Sequence, residues 1–176
     1  AVAIAVSVHS LSSHPLLNFG SAEQQQRWLP GMLSGSQIGA YSLSEPQAGS
    51  DAAALACKAV AADDGYRITG SKAWITHGSL ADFYTLFART SEGSQGISCF
   101  LVPTATPGFI VGRTEEKMGQ HASDTVQIIL ENCRVPASAL LGKEGEGYKI
   151  ALSGLEGGRI GIASQSVGMA RAAFEA

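Results

Sequence analysis

The sequence predicts an α+β fold: a central β-barrel or orthogonal two-sheet domain flanked by helical segments. Three observations carry this expectation. Residues 1–37 and 143–176 follow a helical period, whereas residues 38–142 break into short β-type runs such as "IGAYSL", "KAWIT", "DFYTLFART" and "TVQIILE". The runs recur at roughly ten-residue spacing between turn residues, the rhythm of a sandwich or barrel rather than of βαβ units. With 176 residues, 45% hydrophobic and 15% charged, the chain has material for an ordinary globular core.

The opening "AVAIAVSVHSL" is apolar without strict alternation and reads as helix. In "SAEQQQRWLPGMLSG", Ser21 and Gln24 stand at capping-box spacing, Pro30-Gly31 predicts the helix end, and Trp28 and Leu29 are expected to face a core. Within the β region "ADDGY" is a hairpin signal and "SEGSQG" a looser loop. After "GKEGEG" the helical period returns, with Tyr148, Ala151, Leu152, Leu155, Ile162, Val167, Ala170 and Phe174 roughly on one face. Gly154, Gly157, Gly158, Gly161 and Gly168 each cost such a helix about 1 kcal/mol relative to alanine. Something must therefore pack closely on it, either neighbouring helices or another subunit. Both ends of the chain cut through helical patterns, so it reads as a segment of a longer one.

A net charge of -3, with twelve basic residues spread singly, leaves no electrostatic footprint for nucleic acid or an anionic membrane surface. The apolar runs "AVAIAVSV" and "ISCFLV" are too short to span a bilayer, so no membrane insertion is expected. Cys57, Cys99 and Cys133 form no Cys-x-x-Cys pair, and His9, His14, His77 and His121 lack ligand spacing. Neither a disulfide framework nor a metal site is expected, and a reducing, cytoplasmic compartment fits.

The chemistry concentrates in "YSLSEPQAGSD", Tyr41 to Asp51. Hydroxyls at Ser42, Ser44 and Ser50, with Gly49 permitting close approach, could cradle an anion. The same residues could equally form a turn that satisfies only its own backbone. Glu45 and Asp51 read either as an acid–base pair or as turn carboxylates, and their spacing does not decide between these.

Taken with "GYRITGSKAWITHG", "KMGQHASDT", "CRVPASALLGKEGEGY" and "GGRIGIASQSVGMARAAFE", in that order, the stretch resembles the acyl-CoA dehydrogenase family nearly end to end. The resemblance implies the end of an N-terminal helical domain (1–37), a middle β domain (38–142) and the start of a C-terminal helical domain (143–176). It implies FAD as cofactor and α,β-dehydrogenation of an acyl-CoA substrate to 2-enoyl-CoA, as in fatty acid β-oxidation. An electron-transfer flavoprotein would be the acceptor, a homotetramer the assembly, and the mitochondrial matrix the compartment in a eukaryote. By the same resemblance, Tyr41, Ser42, Leu43, Ser44, Gly49 and Ser50 line the flavin, Ser44 offering its hydroxyl to the pyrimidine side. Trp74, Ile75 and Thr76 form a second element, the indole beside the ring and the Thr76 hydroxyl near the reactive N5. His77 stands where the family usually has asparagine.

Ser50, Glu156 and Arg159 resemble residues that touch the CoA arm, although Glu156 and Arg159 also read as an ordinary i, i+3 surface pair. Glu45 is expected to fix its loop rather than act as base. In one subset of the family the base precedes this arginine, where the present chain has Gly158; in most members it lies on a later helix. The resemblance thus implies a base beyond Ala176, no catalytic residue within the chain, and a segment inactive by itself. A related oxidase passing electrons to oxygen, and a non-catalytic flavin- or CoA-binding module, are the alternatives.

Overall fold

The computed structural model describes residues 2–176. Helices α1 (Val2–Phe19) and α2 (Ala22–Ser34) come first. Eight strands follow: β1 (Gly39–Ser42), β2 (Lys58–Ala62), β3 (Gly65–Thr76), β4 (Phe83–Arg89), β5 (Ile97–Pro103), β6 (Phe109–Thr114), β7 (Thr125–Pro136) and β8 (Leu140–Leu141). A long helix, α3 (Gly147–Glu175), closes the order, and the class is α+β as the sequence predicts.

The start of α2 is the expected capping box: the Gln24 N–H donates to Ser21 Oγ at 3.2 Å and the Ser21 N–H to Gln24 Oε1 at 2.9 Å. The helix does not stop at Pro30-Gly31. It runs on to Ser34, because the extra turn buries Met32 beside Trp28, and Gly35 at φ 74° supplies the left-handed cap. Trp28 is buried against Phe83, with ring centroids 4.6 Å apart, while Leu29 is only half-buried.

The strands form one continuous path, β6-β7-β3-β2-β4-β5-β8, with β1 joined to β4 in parallel. Among the described residues no ladder joins β6 to β8, so the path stays open instead of closing into a barrel. It is hinged at one point, where β2 and β4 share the single pair Lys58↔Arg89. On either side of that hinge the β6-β7-β3-β2 half and the β1-β4-β5-β8 half face each other across a shared core of Ile68, Ile75, Tyr84, Leu86, Phe100, Val102 and Ile128. The β2–β3 hairpin forms where "ADDGY" predicts it, with Ala62 paired to Gly65. Gly65 is required there by close approach, since a Cβ would lie 2.1 Å from the Val135 carbonyl oxygen.

Strands β4 and β5 are buried on both faces, which explains why "DFYTLFA" and "ISCFLV" are nearly continuous apolar runs. Tyr84, Leu86, Phe100 and Val102 point into the shared core. Phe83, Phe87, Ile97, Cys99 and Leu101 point the other way, into a second core closed by Leu16 of α1, Trp28 and Met32 of α2, and Ile150 and Ala151 of α3. Among the described residues no helix is long and apolar enough to cross a membrane.

Helix α3 follows the expected stripe over its first turns, where Ala151 is buried and Tyr148 and Leu155 pack on the helical core, and departs from it beyond. Its buried residues are Gly147, Ile150, Ala151 and Gly154, near its start. Further along, its glycines meet α1: the Cβ positions of Gly154 and Gly158 lie 3.3 and 3.7 Å from Leu11 Cδ1, and that of Gly161 lies 3.5 Å from Ser7 Oγ. Ile162, Val167 and Phe174 are exposed, as no described element lies beside that part of the helix. Three of the five glycines are thus explained by a neighbour in the chain, while Gly157 and Gly168 have open space.

This contrast gives opposite expectations for two alanine substitutions. In Gly147→Ala the new methyl would sit 2.6–2.7 Å from the backbone of Ile97 and Ser98, and overpacking should cost about 1–3 kcal/mol. Gly157→Ala meets no atom within 4 Å and should gain up to about 1 kcal/mol of helix propensity. Denaturant midpoints of the two variants check the signs.

Candidate functional site

The "YSLSEPQAGSD" stretch leaves the end of β1 and turns sharply, Glu45 and Ala48 exchanging backbone hydrogen bonds of 2.9 and 3.1 Å across Pro46-Gln47. The Glu45 side chain points inward and is 3% exposed. Its carboxylate accepts from the Ala56 N–H at 2.7 Å, the Cys57 N–H at 3.0 Å, the Gln47 amide at 2.7 Å and the Lys72 ammonium at 2.8 Å. Lys72 lies on β3 with no solvent exposure and donates as well to the Leu43 carbonyl at 3.1 Å. One residue further, the Ala73 N–H donates to the Ser44 carbonyl at 2.9 Å. Loop and strand are thereby pinned together in a seam.

Burial by itself would raise the Glu45 pKa. The Lys72 ammonium and the N–H groups of Ala56 and Cys57 outweigh it and hold the carboxyl below its ordinary value. Glu45 is therefore the buried anchor of its loop, and its bonds to the N–H groups of Ala56 and Cys57 hold the lead into β2.

Immediately after the pinned residues, β3 bulges. Its register with β7 passes from Lys72↔Ile128 to Ile75↔Val126, leaving Ala73 and Trp74 opposite one residue. Trp74 takes a left-handed backbone, φ 63°, and its indole is turned outward, 61% exposed. A bulge that re-aims one side chain is a device associated with functional sites. Ser44, whose carbonyl bonds the residue before Trp74, and Thr76, two residues after it, are both half-buried, and their hydroxyls make no hydrogen bond to the protein among the described residues. Gly49 and Ser50 are exposed, and the Cβ position of Gly49 has nothing within 4 Å.

The other residues singled out in the sequence sit differently. Tyr41 is buried against Phe87, its hydroxyl donating to the Ala151 carbonyl at 3.1 Å, and burial raises its pKa. Leu43 and Ile75 are core side chains. Ser42 is fully buried, and its Oγ finds no partner. Glu156 and Arg159 are exposed on α3 and form no ion pair with each other among the described residues. Gly158 is half-buried and borders a cavity of about 340 Å³ between α1 and α3, lined by Ser7, Ser10, Leu11, His14 and Ser153. The largest cavity described, about 680 Å³, lies under the α1–α2 corner beside Arg27, Trp28 and Lys143 and shares no residue with the seam. What Trp74 offers is a surface rather than a cavity. Sequence reading missed Lys72, whose only signal is a lone ammonium in a strand facing a loop that carries a glutamate.

The seam predicts a mutant series. Lys72→Met leaves the Glu45 carboxylate buried without its cation and should cost about 3–5 kcal/mol, whereas adding Glu45→Gln should recover part of that loss. Because the folded Glu45 pKa is depressed, its stabilisation is complete above the ordinary carboxyl value and fades as pH falls through the folded one. Urea unfolding of the singles and the double, repeated in acid, measures both effects.

The sequence and fold match known proteins. Residues 1–36 fit the family model of the acyl-CoA dehydrogenase N-terminal domain and residues 40–133 that of the acyl-CoA dehydrogenase middle domain. The chain is 46% identical over 178 residues to an acyl-CoA dehydrogenase of Bacillus subtilis, covering 99% of this chain and 47% of that protein. It is 46% identical over 169 residues to the mitochondrial short-chain specific acyl-CoA dehydrogenase of Homo sapiens, covering 95% of this chain and 41% of that one. The fold superposes on butyryl-CoA dehydrogenase of Megasphaera elsdenii with a TM-score of 0.93 at 43% identity, covering 97% of this chain and 45% of that one. The chain spans about half the length of the curated relatives it matches. With both family models and near-complete alignment agreeing, this chain belongs to the acyl-CoA dehydrogenase family.

Proposed function

We propose that the whole protein is an FAD-dependent dehydrogenase of short-chain acyl-CoA thioesters. One observation carries the reading: the Glu45–Lys72 seam pins the Ser44 loop to β3 where the outward Trp74 indole and Thr76 follow, and the Ser44 and Thr76 hydroxyls have no protein partner among the described residues. That set suits a planar, polar-edged ring, with Trp74 against it and Ser44 and Thr76 bonding its edge. FAD, when bound, supplies acceptance of the β-hydrogen with its electron pair. The residues of this chain bind and orient: Ser44 and Thr76 fix the ring edge, Trp74 shields one side from water, and the open Cβ position at Gly49 leaves room for close approach.

Ser50, Glu156 and Arg159 are exposed and free to meet the CoA arm, the guanidinium suiting its phosphates. The α-proton needs a carboxylate in a desolvated setting. Gly158 contributes none, and we assign the base to a residue outside this chain. The short-chain preference is supported by the human and Megasphaera relatives. An electron-transfer flavoprotein as acceptor, a homotetrameric assembly, and the division into parts at 1–37, 38–142 and 143–176 complete the reading.

Anaerobic titration of the whole protein with butyryl-CoA tests it. Bleaching of the flavin is expected, and its absence would sink the proposal; comparing oxygen with an electron-transfer flavoprotein as acceptor then separates dehydrogenase from oxidase. Thr76→Val nearly preserves shape while removing a hydroxyl, so it should slow flavin reduction or shift the flavin potential by the equivalent of about tenfold. Stopped-flow reduction and a redox titration read the two quantities.

A further inference from the structure

His77, directly after Thr76, has no role in the reading above. Its backbone is left-handed, φ 65°, its side chain is buried, and its Nδ1 joins Ser42 Oγ as a buried side-chain polar atom without a hydrogen-bond partner. The turn around it is held from several sides. The His77 N–H donates to the Asp124 carbonyl at 3.1 Å, and its own carbonyl accepts from Leu80 at 2.9 Å and Ala81 at 2.8 Å. Within two residues the Tyr84 hydroxyl donates to the Gly78 carbonyl.

A second imidazole, His9, meets the same strand β1. The Gly39 N–H points at His9 Nδ1, 3.4 Å away, so that nitrogen accepts, and His9 Nε2 carries the proton donated to the Met32 carbonyl at 3.0 Å. His9 thereby ties α1 to α2 and β1. The charged groups nearby are committed to other partners: Asp124 Oδ2 to the Ser79 N–H at 2.7 Å, Asp82 to the Ile38 N–H at 2.7 Å, and Lys117 to the Ser123 carbonyl and the Thr125 hydroxyl. Burial lowers the His77 pKa; the Gly39 backbone opposes this, His9 adds to it, and Asp124 opposes it.

We propose that His77 is a positioning residue whose neutral imidazole, set against His9 and β1, holds the Thr76 hydroxyl in place for the flavin, and that a proton on Nδ1 releases the turn. The proposal rests on the FAD reading of Thr76. A proton there would place a charge in a buried position where no carboxylate hydrogen-bonds it, so the ring leaves instead of staying charged. Only the peptide link separates it from Thr76, which moves with it. Because the folded pKa is lowered, the positioning is complete above the ordinary histidine value of about 6.5 and is lost progressively below it.

The test is the FAD dissociation constant of the whole protein from about pH 8 to about pH 5. The wild type should weaken by more than about threefold over that range. His77→Asn puts an amide near the Nδ1 position but does not titrate, so it should bind like the wild type at high pH and vary less than about twofold. Should that variant misfold, His77→Gln serves the same comparison. A flat wild-type profile, or a non-titrating variant with the wild-type slope, would overturn the role of His77 alone. A wild type that binds no FAD at any pH would overturn the functional reading beneath it.

Discussion

Everything at the candidate site hangs on one carboxylate and one ammonium, 2.8 Å apart and both shut away from water. A buried pair of this kind is weak evidence of stability, since desolvating two charges offsets most of what their attraction returns. Its value here is geometric. Glu45 also takes the N–H groups that lead into β2, and Lys72 also donates to the Leu43 carbonyl, so three segments meet at fixed distances. An apolar pair of equal volume could fill that space, but it would carry no directional bonds to hold the loop in register with β3.

The seam needs a rigid base, and strands β4 and β5 provide it. Because they are buried on both faces, they join the sandwich interior to the helical core without any break in packing. β1 runs parallel to β4 and hands its next residues to the loop, while the Tyr41 hydroxyl ties the same strand to α3. A displacement of α3 is therefore felt at Tyr41, three residues ahead of Ser44. This couples the helix carrying Glu156 and Arg159 to the loop that faces the indole.

What could be read in the sequence follows the range of each interaction. The capping box at Ser21 and Gln24 and the hairpin at "ADDGY" are local, and both formed where expected. The family blocks, each a run of adjacent residues, identified the chain. The end of α2 was misplaced because burial of Met32 outweighs the stop signal of Pro30-Gly31, and the expected face of α3 meets the core only over its first turns, at Tyr148, Ala151 and Leu155, because periodicity cannot say how far a neighbour extends. Lys72 was missed because its partner lies 27 residues away. Whether a sheet closes on itself depends on strand pairing and shear, which strand spacing does not encode.

Trp74 and His77, two of the four non-glycine residues with left-handed backbone among the described residues, lie three positions apart at the end of β3. Such conformations cost on the order of 1–3 kcal/mol each and persist only where the surroundings over-determine them. Here the surroundings do so: the bulge is fixed on one side by the Lys72 pair and on the other by the Asp124 backbone and side chain, which hold His77 and Ser79. The four-residue segment between these clamps presents the indole and the Thr76 hydroxyl. A chain selected for stability alone would relax these dihedrals with glycine or a regular strand. The double restraint keeps them, and it places the strain next to the atoms proposed above to meet the flavin.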